Sequence, residues 1–115
     1  KFIKNAKRTT NNPMEAHYIG FNLWVKAVEK AKTTDVTKVI AALPGLETPN
    51  LTGGTAKMLA NHHITKPVLI GEVKADGQFN VVWKTKGPVK AQPWSPFIPG
   101  NDKKKDEPAL MAEKK

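Results

Sequence analysis

The sequence predicts an α/β fold with two helices, a short strand, a β-hairpin and an extended tail, in that order. Apolar residues recur at helical spacing in the first part of the 115-residue chain, as far as Leu43. Two runs rich in β-branched and aromatic residues follow, and Asp76 and Gly77 separate them as a hairpin turn. Prolines then punctuate the chain beyond Lys86, which indicates an extended segment on the surface.

The first helix is expected over roughly residues 13–32. Asn12 can cap it, Pro13 suits the first helical position, and Glu15 completes a capping pattern. One polar stripe runs along this segment, and most of the remaining circumference is apolar. An apolar arc this wide indicates a helix packed on more than one side. We expect burial of four residues on the arc: Ile19, Leu23, Trp24 and Val28.

A second helix is expected directly after the first. Thr34 or Asp35 caps it, and Pro44 ends it. Its apolar residues fall at helical spacing: Val36, Val39, Ile40 and Leu43. A short strand is then expected over residues 55–59. Gly53 and Gly54 precede it, and we interpret them as a turn, because the spacing and ending of a phosphate-binding loop are absent.

The hairpin is the clearest local feature of the sequence. Residues 68–74 are expected to pair with residues 79–84, with Asp76 and Gly77 at the tip. In the second strand the alternation places Phe79, Val81 and Trp83 on one face. In the tail that follows, we expect Trp94 and Phe97 to act as apolar anchors.

These elements do not make a self-sufficient domain. One hairpin is marginally stable on its own, and the helices need a sheet on which to lie. We therefore expect the chain to be the last part of a larger α/β protein. Residues 1–12 are interpreted as a truncated linker or helix end, residues 13–100 as the C-terminal segment of the larger domain, and residues 101–115 as a charged, disordered tail.

The net charge of +9 raises the possibility of an acidic partner. Residues 1–8 hold four basic residues and no acid, and residues 101–115 hold five lysines against four acids. The middle of the chain holds ten basic residues against six acids, a net of +4. A nucleic-acid-binding protein more often clusters Lys and Arg along one element with interleaved aromatics. The distribution favours solvated chain ends.

Composition also limits the compartment and the chemistry. The chain contains no cysteine, which excludes disulfides and thiolate sites. No apolar run approaches the ~20 residues of a membrane span. The first residues, KFIKNAKR, lack the apolar region of a signal peptide. We therefore expect either a cytoplasmic protein or a signal peptide upstream of this segment.

Adjacent histidines, His62 and His63, are the residues that most resemble a chemical site. If residues 61–64 are extended, the two side chains point to opposite faces and cannot chelate one metal ion. No acidic residue lies within four positions of them, and His17 has no His or Cys partner at helical spacing. We therefore predict no metal site, no catalytic residues and no cofactor.

Several separate blocks of the sequence resemble one family of transport proteins. They are NNPMEAHYIGFNLWVKAVEKA, TDVTKVIAALPG, PNLTGGTAKMLANHHITKPVLIGEVKADGQFNVVWKT and PWSPFIPG. In this order they resemble the C-terminal part of the urea-binding proteins of bacterial ABC transporters. That group is similar to short-chain amide receptors and, more distantly, to branched-chain amino-acid-binding proteins. The resemblance covers nearly the whole chain from Asn11 to Gly100.

The resemblance implies a type I periplasmic binding fold, in which two α/β lobes joined by hinge crossings hold a ligand between them. It implies a non-enzymatic protein that binds urea or a small amide and delivers it to membrane permease subunits, in the periplasm or outside the cell. In such proteins this segment supplies helices and strands around the hinge. His62 and His63 are then hinge or cleft candidates, and the other ligand-binding residues are unknown.

Two alternatives stay open at this point. One is a small basic interaction module that binds nucleic acid or an acidic protein surface through residues 1–8 and 103–105. The other is a cytoplasmic amide-responsive regulator with the same fold. The wide apolar arc of the first helix favours the solute-binding interpretation, in which no nucleic acid is bound.

Overall fold

The computed structural model describes residues 9–105 of the chain. It has a mixed α/β architecture with two helices, two antiparallel strand pairs and one 3₁₀ turn, which agrees with a segment of a type I periplasmic binding fold. The predicted basic cluster at residues 1–8 and the end of the predicted tail, residues 106–115, lie outside the described residues. The elements are as follows: α1 (Asn12–Ala31), α2 (Val36–Ala42), β1 (Glu47–Pro49), β2 (Thr55–Lys57), β3 (Leu69–Val73), β4 (Phe79–Lys84) and the turn Asn101–Lys103.

Helix α1 begins one residue earlier than the sequence predicted. Asn11 is the N-cap, and its side chain accepts a hydrogen bond from Met14 N at 2.9 Å. The predicted cap, Asn12, is already helical, and its side-chain oxygen accepts from Lys66 instead. Lys32 ends the helix in the left-handed conformation at φ 52°.

Only a narrow stripe of α1 is buried. It consists of residues spaced four apart, namely Glu15, Ile19, Leu23 and Ala27. The predicted burial of Trp24 is wrong in this chain, because 46% of this residue is exposed, and Val28 is only partly buried. Within the described residues the sheet made by β1 and β2 is too small to cover the wide apolar arc. Two other aromatic residues of α1 are exposed as well, namely Tyr18 and Phe21.

Helix α2 and the strands β1 and β2 complete the helical unit. Asp35 caps α2 by accepting from Lys38 N at 3.0 Å, and Val39 is its buried residue. Strand β1 was not predicted, whereas β2 falls within the predicted strand, and the two pair with Thr48 opposite Ala56. Their buried faces pack on α1 in one core: Ile19, Leu23, Ala56 and Met58, with Leu43, Leu46 and Ile64 at its edge.

The predicted hairpin is confirmed: β3 pairs with β4 in antiparallel register. Its tip is a three-residue loop in which Gly77 has φ 76° and Gly77 N donates to Lys74 O at 3.0 Å. The register shifts at Ile70 and Gly71, so that Val82 is an additional residue in β4. The strict alternation predicted for β4 therefore does not continue across this bulge.

The hairpin is exposed along both of its strands. The described part of the chain measures 58 × 42 × 20 Å, and its Cα radius of gyration is 17.2 Å. A compact domain of this length has a radius of gyration of about 13 Å. The hairpin thus extends away from the helical unit and has no layer packed on it within the described residues.

The proline-rich tail contains turns as well as extended backbone. Trp94 is partly anchored, since its indole nitrogen donates to Lys105 O at 3.1 Å and Lys104 Nζ lies 4.2 Å from the ring centroid. The predicted anchoring of Phe97 is wrong in this chain, because 92% of it is exposed. The turn Asn101–Lys103 lies within the segment predicted to be disordered.

Candidate functional site

Two antiparallel segments of the chain connect the helical unit, which consists of α1, α2, β1 and β2, to the hairpin of β3 and β4. On the helical side, Lys66 and Val89 exchange two backbone hydrogen bonds, of 3.3 and 2.8 Å. On the hairpin side, Thr85 N donates to Val68 O at 3.0 Å, and Val68 N donates to the Thr85 hydroxyl oxygen at 3.1 Å. We call residues 66–68 together with 85–89 the neck. The chain leaves the helical unit through one strand of the neck and returns through the other.

The hydrogen-bond ladder is interrupted inside the neck. Pro67 lies between the two bridges on the outgoing strand and has no N–H to donate. Gly87 lies on the returning strand, and its carbonyl accepts from the Thr85 hydroxyl at 2.7 Å. Glycine readily absorbs changes in φ and ψ. The neck therefore joins two hydrogen-bonded regions through a short stretch without backbone pairing.

A partly buried ion pair attaches the neck to helix α1. Lys66 Nζ lies 2.6 Å from Glu15 Oε2 and donates to Asn12 Oδ1 at 2.7 Å. The other carboxylate oxygen of Glu15 accepts from Thr52 N at 2.9 Å. We call these four residues the Glu15 cluster. It joins three segments that are distant in sequence: the start of α1, the loop after β1 and the outgoing strand of the neck.

The Glu15–Lys66 pair is less exposed than the other ion pairs of the described residues. The side chain of Glu15 is 9% exposed and that of Lys66 is 24% exposed. The two other ion pairs of the described residues lie on the surface, and in Lys57–Glu47 both side chains are 52% exposed. A buried carboxylate is costly unless charge and hydrogen bonds compensate it, and here both oxygens are used. Its place in the first turn of α1 also favours negative charge.

The loop between β1 and β2 forms one wall of the cluster. Gly53 and Gly54 have φ values of 110° and 73°, which confirms that this glycine pair is a turn. Asn50 is buried and its side-chain oxygen accepts from the Thr52 hydroxyl at 3.1 Å. Within the described residues the buried amide nitrogen of Asn50 has no acceptor.

The two histidines lie in a turn rather than in an extended segment. His62 N donates to Leu59 O at 3.0 Å, and Leu59 N donates to His63 O at 2.8 Å. The assumption that this segment is extended is wrong, since His62 adopts φ 60°. His62 is partly buried and His63 is exposed. The turn ends three residues before Lys66, and a contact of either side chain with a ligand stays a prediction.

The sequence interpretation did not identify the Glu15 cluster. Glu15 was assigned only to capping, although it lies one helical turn before Ile19 and two turns before Leu23 on the buried stripe. A charged residue in register with a core stripe needs a buried partner, which is a usable signal. The partner could not be chosen from sequence, because Lys66 lies 51 positions away and resembles the other lysines.

Metal binding and membrane insertion find no support in the part of the chain that the structure describes. No three side chains of His, Asp or Glu lie close enough there to hold a metal ion. Neither described helix has the length and apolarity that crossing a membrane requires. His17 lies on the exposed side of α1, beside an open groove of about 530 Å³ that Tyr18 and Phe21 also line.

Residues 1–100 match the family described as periplasmic binding protein domain. The chain belongs to this family. Periplasmic binding protein domains bind small molecules, typically work with permeases and are generally non-enzymatic, and the family name implies a periplasmic location. The family assignment agrees with the α/β architecture.

One curated relative of this periplasmic binding protein domain is named as an enzyme. The chain is 32% identical over 99 residues to a protein of Geobacillus stearothermophilus called limonene hydroxylase. The alignment covers 81% of this chain and 18% of the relative. The chain thus spans less than a fifth of the length of that protein.

Proposed function

We propose that this chain is the C-terminal segment of the solute-binding component of an ABC importer. In the complete protein, urea or a related small amide binds in a cleft between two lobes and is delivered to permease subunits in the membrane. The observation that best supports this proposal is the neck, because it provides paired outgoing and returning strands between two structural units. The family assignment supports the general class of solute-binding proteins.

The proposed mechanism is closure of the lobes around the ligand. A ligand shifts the balance between open and closed forms only through contacts that it makes better in the closed form. Urea presents N–H donors and one carbonyl, so its site has to pair nearly every polar group. Each buried group left unpaired costs about 1–3 kcal/mol. His62 and His63 remain our candidates for a contribution to the cleft, and we assign no catalytic residue or cofactor.

We do not transfer the activity in the name of the limonene hydroxylase to this chain. The alignment corresponds to 18% of that protein. The family that the chain matches is generally non-enzymatic. We therefore propose a binding function and include limonene among the test ligands. The proposed location is the periplasm or the cell exterior, in association with lipid or permease.

Five lysines in the middle of the chain are engaged in contacts within the chain, which leaves residues 1–8 and 103–105 as the basis of the basic interaction module. Lys57, Lys66 and Lys74 each pair with a carboxylate. Lys26 and Lys30 donate to backbone carbonyls. A salt-dependent gel shift with double-stranded and single-stranded DNA separates the two functions. We expect no shift at ordinary salt, whereas an affinity that falls steeply with salt would support the interaction module.

Calorimetric titration of the complete protein tests the proposed ligand class. We expect saturable binding of urea or acetamide, weaker binding of leucine and none of limonene. His62→Ala and His63→Ala test the candidate residues, with His17→Ala on the exposed side of α1 as the control. Loss of a ligand hydrogen bond should weaken binding by about 0.5–1.5 kcal/mol. Binding of limonene but of no amide would overturn the proposal.

A further inference from the structure

We propose that the Glu15–Lys66 pair is a latch that sets the orientation of the neck, and that Lys66 is a positioning residue for ligand-induced closure. This inference rests on the proposed function, because it assigns a role to residues at the crossing between the two units. The latch acts on the outgoing strand at the last residue before the unpaired stretch of the neck. Its partner residues belong to the helical unit.

The contacts of Lys66 fix the direction of the neck as well as its attachment to the helical unit. The backbone of Lys66 is bound to Val89 in both directions, at 3.3 and 2.8 Å. On the side of β2, Thr65 N donates to Lys57 O at 3.0 Å. The side chain of Lys66 adds a third connection, at 2.6 Å to Glu15 and 2.7 Å to Asn12. Three connections in different directions fix a rigid start for the neck.

Both residues that accept hydrogen bonds from the Lys66 side chain are themselves fixed in position. Asn12 and Glu15 lie in the first turn of α1, and Asn11 caps that turn. Thr52 N holds the second oxygen of Glu15, which leaves Glu15 Oε2 directed at Lys66. Because the carboxylate is mostly buried, the pair is screened less than a surface pair. The helix therefore transmits its orientation to the neck through one charged contact.

Loss of the latch should weaken ligand binding without removing any ligand contact. When the neck is less constrained, the ligand-free protein samples more orientations that cannot close. The apparent dissociation constant rises by the inverse of the fraction that can close. Residues that modulate such coupling change affinity about 2- to 30-fold. We expect a rise in this range for Lys66→Met in the complete protein.

The experiment measures distances across the neck in the ligand-free protein. Spin labels are attached to cysteines placed at Lys38 in α2 and Ala75 at the hairpin tip. This chain contributes no cysteine of its own, and any cysteine elsewhere in the complete protein is replaced by serine. Pulsed electron paramagnetic resonance then gives the distribution of distances. Lys66→Met should broaden this distribution. Lys66→Arg, which keeps the positive charge and N–H donors for both acceptors, should restore most of the original width.

Two further variants make the result decisive. Glu15→Gln is a milder change, because glutamine has nearly the same shape as glutamate. It still disrupts the latch, because it leaves one acceptor oxygen for two donors, Thr52 N and Lys66 Nζ. It should also broaden the distribution, and it decides the outcome if Lys66→Met does not fold. Lys57→Met is the matched control, because Lys57 forms a surface pair with Glu47 at 3.3 Å in the same unit.

The outcomes separate the latch from the proposed function. Unchanged distance distributions and affinities within twofold of wild type would overturn the latch, even if Lys66→Met lowered the melting temperature. A wild-type protein that binds none of the tested ligands would overturn the proposed function. The ligand-free distance distributions would still decide the latch in that case.

Discussion

Replacing Leu23 with alanine tests whether the small core of the helical unit carries stability in the complete protein. Leu23 is fully buried between Ile19, Ala56 and Met58. At about 0.8 kcal/mol for each buried carbon group lost, the transfer cost alone is about 2.4 kcal/mol. A residual cavity adds to this, so the expected loss of unfolding free energy is about 2–5 kcal/mol.

The assay for Leu23→Ala is equilibrium denaturation of the complete protein in urea or guanidinium, followed by circular dichroism. Leu23→Met is the matched control, since it nearly conserves volume and should cost less than about 1.5 kcal/mol. Typical unfolding free energies are about 5–15 kcal/mol, so the alanine effect is large enough to resolve. A loss below about 0.5 kcal/mol for Leu23→Ala would show that this stripe of α1 is not a core, contrary to its burial.

Two other predictions concern local contacts. Asn11→Ala should reduce the stability of the complete protein by about 0.5–2 kcal/mol because it removes the α1 cap, whereas Asn11→Asp should retain the cap; equal losses for both variants would contradict the assignment of Asn11. The Lys74 ammonium, followed by the Gln78 N–H, lowers the pKa of Asp76 below 3.8. This contribution to the hairpin turn is therefore present above the unfolded pKa and is lost as the pH falls through the folded pKa. The Gln78 amide resonance should report this titration below pH 3.8 and should lose it in Asp76→Asn, and a midpoint above 3.8 would contradict the contact.

Local patterns predicted the elements well where the signal and the cause lie in the same segment. The hairpin follows from two β-rich runs and a glycine that can adopt φ 76°, and α2 follows from apolar spacing and the Asp35 cap. Strand β1 escaped prediction because it is three residues long and ends in Pro49, a residue that is depleted in strands. Its pairing with β2 depends on a contact made across a turn.

Features that depend on distant contacts were not predictable from a single sequence. The wide apolar arc of α1 predicted a buried Trp24, but the described chain supplies a layer for only one side of the helix. The partnership of Glu15 and Lys66 requires the fold to bring together residues 51 positions apart. The adjacent histidines drew attention because of their chemistry, yet the left-handed φ of His62 depends on turn bonds that the sequence pattern does not display.

The interpretation of this chain as one part of a two-lobed binding protein can be tested on the 115 residues alone. The measurement is a thermal melt followed by near-ultraviolet circular dichroism, together with calorimetric titration of the isolated chain with urea, acetamide and leucine. We expect no cooperative melt and no saturable binding, because the hairpin is exposed along both strands and a cleft needs both lobes. A sharp melt with saturable binding of any of the three ligands would contradict this interpretation and would identify a self-sufficient domain with its own site.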